Sequence, residues 1–189
     1  EEIGKIIRLI DHMYSVFGFE YRIELSTRPE DSMGSDELWN EAEQALEKVL
    51  KDHGIEYRLN EGDGAFYGPK IDFHILDALK RNWQCATIQL DFQMPEKFDL
   101  HYIGEDNQRH RPVVIHRAVY GSIDRFIGIL IEHYAGAFPV WLAPVQARVI
   151  PVSNKFDEYA TEVKEQLTTA GVRVETDLRN EKLGYKIRE

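Results

Sequence analysis

In VIHRAVYGSIDRFIGILIEHYAG, residues 114–136, two side chains stand apart from an otherwise apolar run: His116 and Arg125. Strand alternation places Val114, His116 and Ala118 on one face. An imidazole there is either a hydrogen-bonded core group or a metal ligand. Arg125 falls in the first turn of a helix, where the dipole favours anions, and Gly128 lies one turn along. A guanidinium beside a missing side chain at a helix N-terminus can hold a phosphate against backbone. The plainer alternative is an ion pair with Glu132 or Asp124 on a solvated face. In CATIQLDF (85–92), Ala86, Ile88, Leu90 and Phe92 form an apolar face, and Thr87, Gln89 and Asp91 a polar one. Uncharged Thr and Gln suit a floor that hydrogen-bonds a polar ligand, although one wet face is also the ordinary state of a sheet. GAFYGPK sets Tyr67 and Lys70 around Gly68-Pro69, which is either a plain turn or a loop bringing a hydroxyl and an ammonium over that floor.

These groups need elements to position them. Ile123, Phe126, Ile127, Leu130, Ile131 and Tyr134 make a helical core stripe, with Arg125, Gly128, Ile129 and Glu132 on another line. Gly121-Ser122 opens this helix, and Gly136 with Pro139 closes it. Further back come a helix over 2–16, a strand YRIEL (21–25), the loop STRPEDSMGS and a helix over 36–52 capped by Ser35. IEYRL (55–59), IDFHIL (71–76), CATIQLDF, LHYIG (100–104) and PVVIHRAV (112–119) then follow with short connections, which predicts an antiparallel meander. The class is α+β, an antiparallel sheet with flanking helices. Composition shifts at FPVWLAPVQ (138–146), and strand, helix and strand follow as a βαβ unit. Its helix carries Phe156, Tyr159, Ala160, Val163 and Leu167 on one face. Two domains are expected, 1–142 and an incomplete 143–189.

Composition narrows the classes. With 23 basic and 33 acidic residues the net charge is −10, which argues against broad non-specific nucleic-acid binding but leaves room for a local basic patch. No apolar run is long enough for a membrane span. A single cysteine, Cys85, excludes an internal disulfide and suits a reducing cytosol. The chain starts without Met inside a helix and stops at EKLGYKIRE inside another, so a piece of a longer protein is expected.

GSIDRFIGILIEHYAG resembles motif 3 of the class II aminoacyl-tRNA synthetases. LSTRPE, EGDGAFYGPKID, QCATIQLDF, YIGEDN, WLAPVQ and DLRNEKLGYKIRE, in this order, narrow the resemblance to the threonyl type of bacteria. It implies the C-terminal part of the catalytic core, from just after motif 2, followed by the first βαβ unit of an α/β anticodon-binding domain. By position, Arg125 would clamp the ATP γ-phosphate, with Lys70 beside the site. Gln84 and Thr87 would contact ATP, and Tyr67, Gln89 and Ser122 would line the threonine pocket. His116 would be one of three protein ligands to Zn2+, a Cys and a His being expected upstream of Glu1. Cys85 is not that Cys. Gln84 has the parity of Ala86 rather than of Gln89, so it is expected to precede the regular strand. Asn180 in DLRNEK would read anticodon bases, unless it caps a helix starting near Glu181. Residues 172–189 sum to +1, which locates positive ground for RNA there.

The implied partners are ATP with Mg2+, L-threonine and tRNA(Thr), with a homodimer for the parent, a cytoplasmic location and no membrane. Lacking motifs 1 and 2 and the editing domain, the chain alone is expected to be inactive. A non-catalytic RNA-binding module and a related enzyme such as the prolyl type remain alternatives.

Overall fold

The computed structural model describes residues 1–188 and divides into two compact units, 1–133 and 134–189. The first is built on a five-stranded sheet of order β2-β1-β3-β4-β7, with β1 Tyr21–Ser26, β2 Arg58–Asn60, β3 Lys70–Leu76, β4 Asn82–Asp91 and β7 Val114–Ala118. The α+β class holds, and the sheet is antiparallel from β1 to β7. One edge departs from the expected meander: β2 runs parallel to β1. The cause is α2 (Asp36–Asp52), which carries the chain back over the sheet between them as a crossover. IEYRL forms ladder only from Arg58 onward. LHYIG stays outside the main sheet. Its Tyr102–Ile103 (β5) pairs with Arg109–His110 (β6) in a separate ribbon, closed by a turn at Asn107.

Alternation gives the sheet one apolar face, with Ile23, Leu25, Ile71, Phe73, Ile75, Ala86, Ile88 and Leu90 all buried. α1 (Glu2–Phe17) buries Ile3, Ile7, Ile10, Tyr14 and Phe17, and the Tyr14 ring meets Tyr21 edge-on. α2 buries Trp39, Ala42, Leu46 and Leu50, and Ser35 caps it by accepting from the Leu38 amide; a short α3 (Gln93–Lys97) follows β4. α4 (Ile123–His133) does not bury the expected stripe. Phe126 enters an aromatic cluster with Phe17, Phe19 and Tyr120. That rotation buries Ile129 and Leu130 with it and leaves Ile123, Ile127 and Ile131 exposed. An amphipathic period fixes the width of an apolar stripe, while tertiary contacts choose which edge of it turns inward.

In the second unit β8 (Ala147–Val149) and β9 (Val174–Thr176) pair in parallel, joined through α5 (Asp157–Thr169). Ala160 of α5 is buried, whereas Phe156 and Tyr159 stay exposed. The segment 138–146 lies within this unit, tied to its sheet by Arg173, whose guanidinium donates to the Ala143 and Trp141 carbonyls. Among the described residues no helix is long and apolar enough to cross a membrane.

Candidate functional site

The polar face of the first sheet carries the site. Register places Gln89 opposite both Lys70 and His116, and Thr87 opposite Asp72 and Ala118. Gln84, read from the sequence as lying outside the regular strand, is inside β4 and on this same face. A β-bulge causes this: Phe73 pairs with Ala86 and His74 with Gln84, so Cys85 has no partner in register. One extra residue inverts the alternation upstream of it. Gln84 thereby reaches Asp72, its Nε2 donating to Oδ1 at 2.6 Å.

Tyr67, Gln89 and His116 meet over β4 and β7. The Tyr67 hydroxyl donates to Gln89 Oε1, and its ring lies 5.5 Å from the His116 ring. The loop is held down by close backbone approach: a Cβ on Gly68 would stand 1.8 Å from the Leu90 carbonyl oxygen. Only glycine admits that contact. Burial, and next the charge of Asp91, raise the Tyr67 phenol above its usual value, so it stays a proton donor. His116 Nε2 lies 2.9 Å from Asp91 Oδ2, and Asp91 also accepts from the amides of Gln93 and Met94. The buried carboxylate fixes the ring's orientation. A metal-binding histidine is typically oriented in this manner.

Lys70 sits between two carboxylates, 2.8 Å from Asp72 and 3.1 Å from Asp63. Burial acts to lower its ammonium, but the bonds and charges of Asp72 and Asp63 outweigh burial and leave it raised. It is therefore a fixed cation, not a base. Ser26 donates to Asp72 Oδ2, the same oxygen that Lys70 engages. The Thr87 hydroxyl is buried with no hydrogen-bond partner among the described residues. An unsatisfied buried hydroxyl costs about 1–3 kcal/mol, so this point of the floor stands to gain from a polar partner.

Arg125 and Ser122 occupy a second place, Arg125 in the first turn of α4 and Ser122 just before it. Ser122 Oγ is 3.5 Å from the Arg125 amide. The Arg125 guanidinium lies over the Trp83 ring, and neither carboxylate considered for it is its partner: Glu132 instead binds Arg81. Gly121, before the helix, has φ +65, and a Cβ there would approach the Cys85 carbonyl oxygen to 3.0 Å. Gly121→Ala is expected to destabilise the chain by about 1–2 kcal/mol, the cost of a left-handed residue with a side chain. Urea unfolding measures this, and an unchanged midpoint would mean that the turn relaxes freely. Cys85 is inert, since burial pushes its thiol up to about 11 against a small lowering by Arg125.

In the second unit Asn180 is exposed on a bend. The capping alternative fails, because α6 (Leu183–Lys186) starts later with Lys182 at its N-cap. The Arg179 guanidinium grips Asp177 with two bonds, 2.9 and 2.7 Å. The expected positive ground is partly internal: Lys186 is buried, donating to the Asp177 carbonyl at 3.0 Å. Sequence reasoning passed over Asp72 and Asp91 as site groups and missed Trp83. Register, which strand alternation alone does not supply, would have exposed them.

The metal question turns on donors. Among the described residues no group of three or more His, Cys, Asp or Glu could hold an ion. His116, oriented by Asp91, fits the part of one ligand among several.

The chain as a whole matches known families. Residues 1–134 match the family model described as tRNA synthetase class II core domain (G, H, P, S and T), and residues 146–189 match that of an anticodon binding domain. The chain belongs to the class II tRNA synthetase core family. Within it the chain is similar to threonine–tRNA ligases. It is 68% identical over 189 residues to that of Carboxydothermus hydrogenoformans, covering 100% of this chain and 30% of the relative. It is 69% identical over 188 residues to threonine–tRNA ligase 2 of Bacillus subtilis, again covering 100% of this chain and 30% of the relative. A crystal structure of the RNA binding domain of threonyl-tRNA synthetase from Cryptosporidium parvum superposes with TM-score 0.92 at 45% identity, covering 99% of this chain and 47% of that one. The chain thus spans less than a third of the length of the curated relatives it matches.

Proposed function

We propose that this chain is part of a threonine–tRNA ligase, which activates threonine with ATP as threonyl-adenylate and passes the threonyl group to tRNA(Thr), releasing AMP. The observation that carries the reading is identity of 64–69% along the whole chain to proteins bearing that name. In this reading residues 1–142 form the C-terminal part of the catalytic core and 143–189 the first half of the anticodon-binding domain. Tyr67, Gln89 and Ser122 face threonine, and Gln84, Thr87 and Arg125 face ATP. A threonine carboxylate oxygen bonds to the α-phosphorus, the bond from phosphorus to the bridging oxygen breaks, and pyrophosphate leaves. Arg125 holds the γ-phosphate, and the fixed charge of Lys70 offsets negative charge nearby, so the residues contribute position and field.

His116 is proposed as one Zn2+ ligand, the others coming from outside this chain. Held there with open positions, a zinc ion would supply direct recognition of the threonine hydroxyl, which valine lacks and an apolar pocket discriminates by only about a hundredfold. The parent is proposed to act as a cytoplasmic homodimer. The test is threonine-dependent ATP–pyrophosphate exchange and aminoacylation by the full-length protein. Activity with another amino acid and none with threonine would overturn the reading.

For the second unit, Asn180→Ala in the full-length protein is expected to weaken aminoacylation by roughly 1–3 kcal/mol, the worth of one good base contact. Exchange, which needs no tRNA, stays near normal. Parallel loss in both assays would make Asn180 structural.

A further inference from the structure

Arg81, Trp83 and Arg125 meet where β4 begins and α4 starts. The Arg81 and Arg125 guanidinium carbons lie 5.7 and 5.6 Å from the Trp83 ring centroid. Arg81 is fully paired, bonding Asp77 and placing one nitrogen 3.0 Å from both oxygens of Glu132 on α4. Trp83 is fixed in turn, its Nε1–H donating to Asp77 Oδ2 at 2.9 Å. Asp77 also accepts from the amides of Leu79 and Arg81. Burial acts to raise the Asp77 carboxyl, but the bonds from Trp83 and Arg81 more than reverse that and bring it to about 2. The ring is therefore built into a charged network that stays ionised at working pH.

Arg125 differs from Arg81. Among the described residues its guanidinium has no carboxylate partner, only the ring. An ion pair would use up the donors of a guanidinium, whereas an aromatic face restrains its plane and leaves the N–H edge free. We infer that Trp83 is a positioning residue for Arg125: its ring, anchored through Asp77 and Arg81, holds the guanidinium ready for a phosphate without consuming its donors. The inference rests on the reading of Arg125 as a phosphate-binding group.

The test is a double-mutant cycle in the full-length protein, read as KM for ATP and for threonine in pyrophosphate exchange. Trp83→Leu is expected to raise the ATP KM about two- to fivefold, the worth of a cation–π contact at an exposed site, while the threonine KM is unchanged. Trp83→Phe, which keeps a weaker aromatic face, gives a smaller rise and keeps the cycle usable if the leucine variant does not fold. In an Arg125→Ala background neither change raises the ATP KM further, because contacting residues are non-additive. Full additivity, or equal losses for ATP and threonine, would overturn the positioning role. An Arg125→Ala protein with normal ATP KM and exchange rate would instead remove the phosphate reading, and this inference with it.

Discussion

Arg125→Ala in the full-length protein lowers pyrophosphate exchange by roughly two to three orders of magnitude, the usual cost of removing one preorganised donor to developing charge. Read as transition-state stabilisation, this is about 3–4 kcal/mol. Stability hardly moves. The side chain is exposed and its recorded partner is the Trp83 ring, a contact worth about 0.5–1 kcal/mol at an exposed site. The separation of the two effects is the measurement: exchange kinetics beside a denaturation curve. Unimpaired exchange would leave Arg125 as a surface charge that decorates Trp83.

His116→Ala in the full-length protein is expected to abolish tightly held zinc, read by metal analysis after dialysis against a weak chelator. The 189-residue chain itself should hold zinc weakly, because a tight site takes three or four protein ligands and the described residues offer no such group. The fold should survive. Asp91 loses its imidazole partner but keeps the amides of Gln93 and Met94, so the loss lies near the low end of about 1–3 kcal/mol for an orphaned buried group. One zinc per subunit persisting in the alanine variant would take His116 out of the ligand set.

Much of this was legible in the sequence because it depends on local physics. The caps, the helix of 36–52 and the apolar face of β4 follow from period and composition, and the structure carries them. His116 and Arg125 stood out because each violates the pattern around it. What failed was non-local. The parallel β2 edge follows from a helix crossing over, and the detached β5–β6 ribbon from a turn that closes on itself. The buried edge of α4 was chosen by Phe17 and Phe19, remote in sequence from the helix, together with its neighbour Tyr120. Gln84 was misplaced because alternation assumes an unbroken strand, and nothing in RNWQCAT announces an extra residue.

That extra residue makes the length of β4 matter as much as its composition. The half of the strand before Cys85 runs in opposite phase to the half after it, so the same insertion sends Gln84 toward Asp72 and Trp83 to the side of Ile75. Deleting one residue there would leave every neighbouring side chain chemically intact and exchange the destinations of both. The strand should therefore tolerate no change of count between Asn82 and Cys85, even one that keeps Trp83 and Gln84, like a message whose meaning depends on frame as well as on letters.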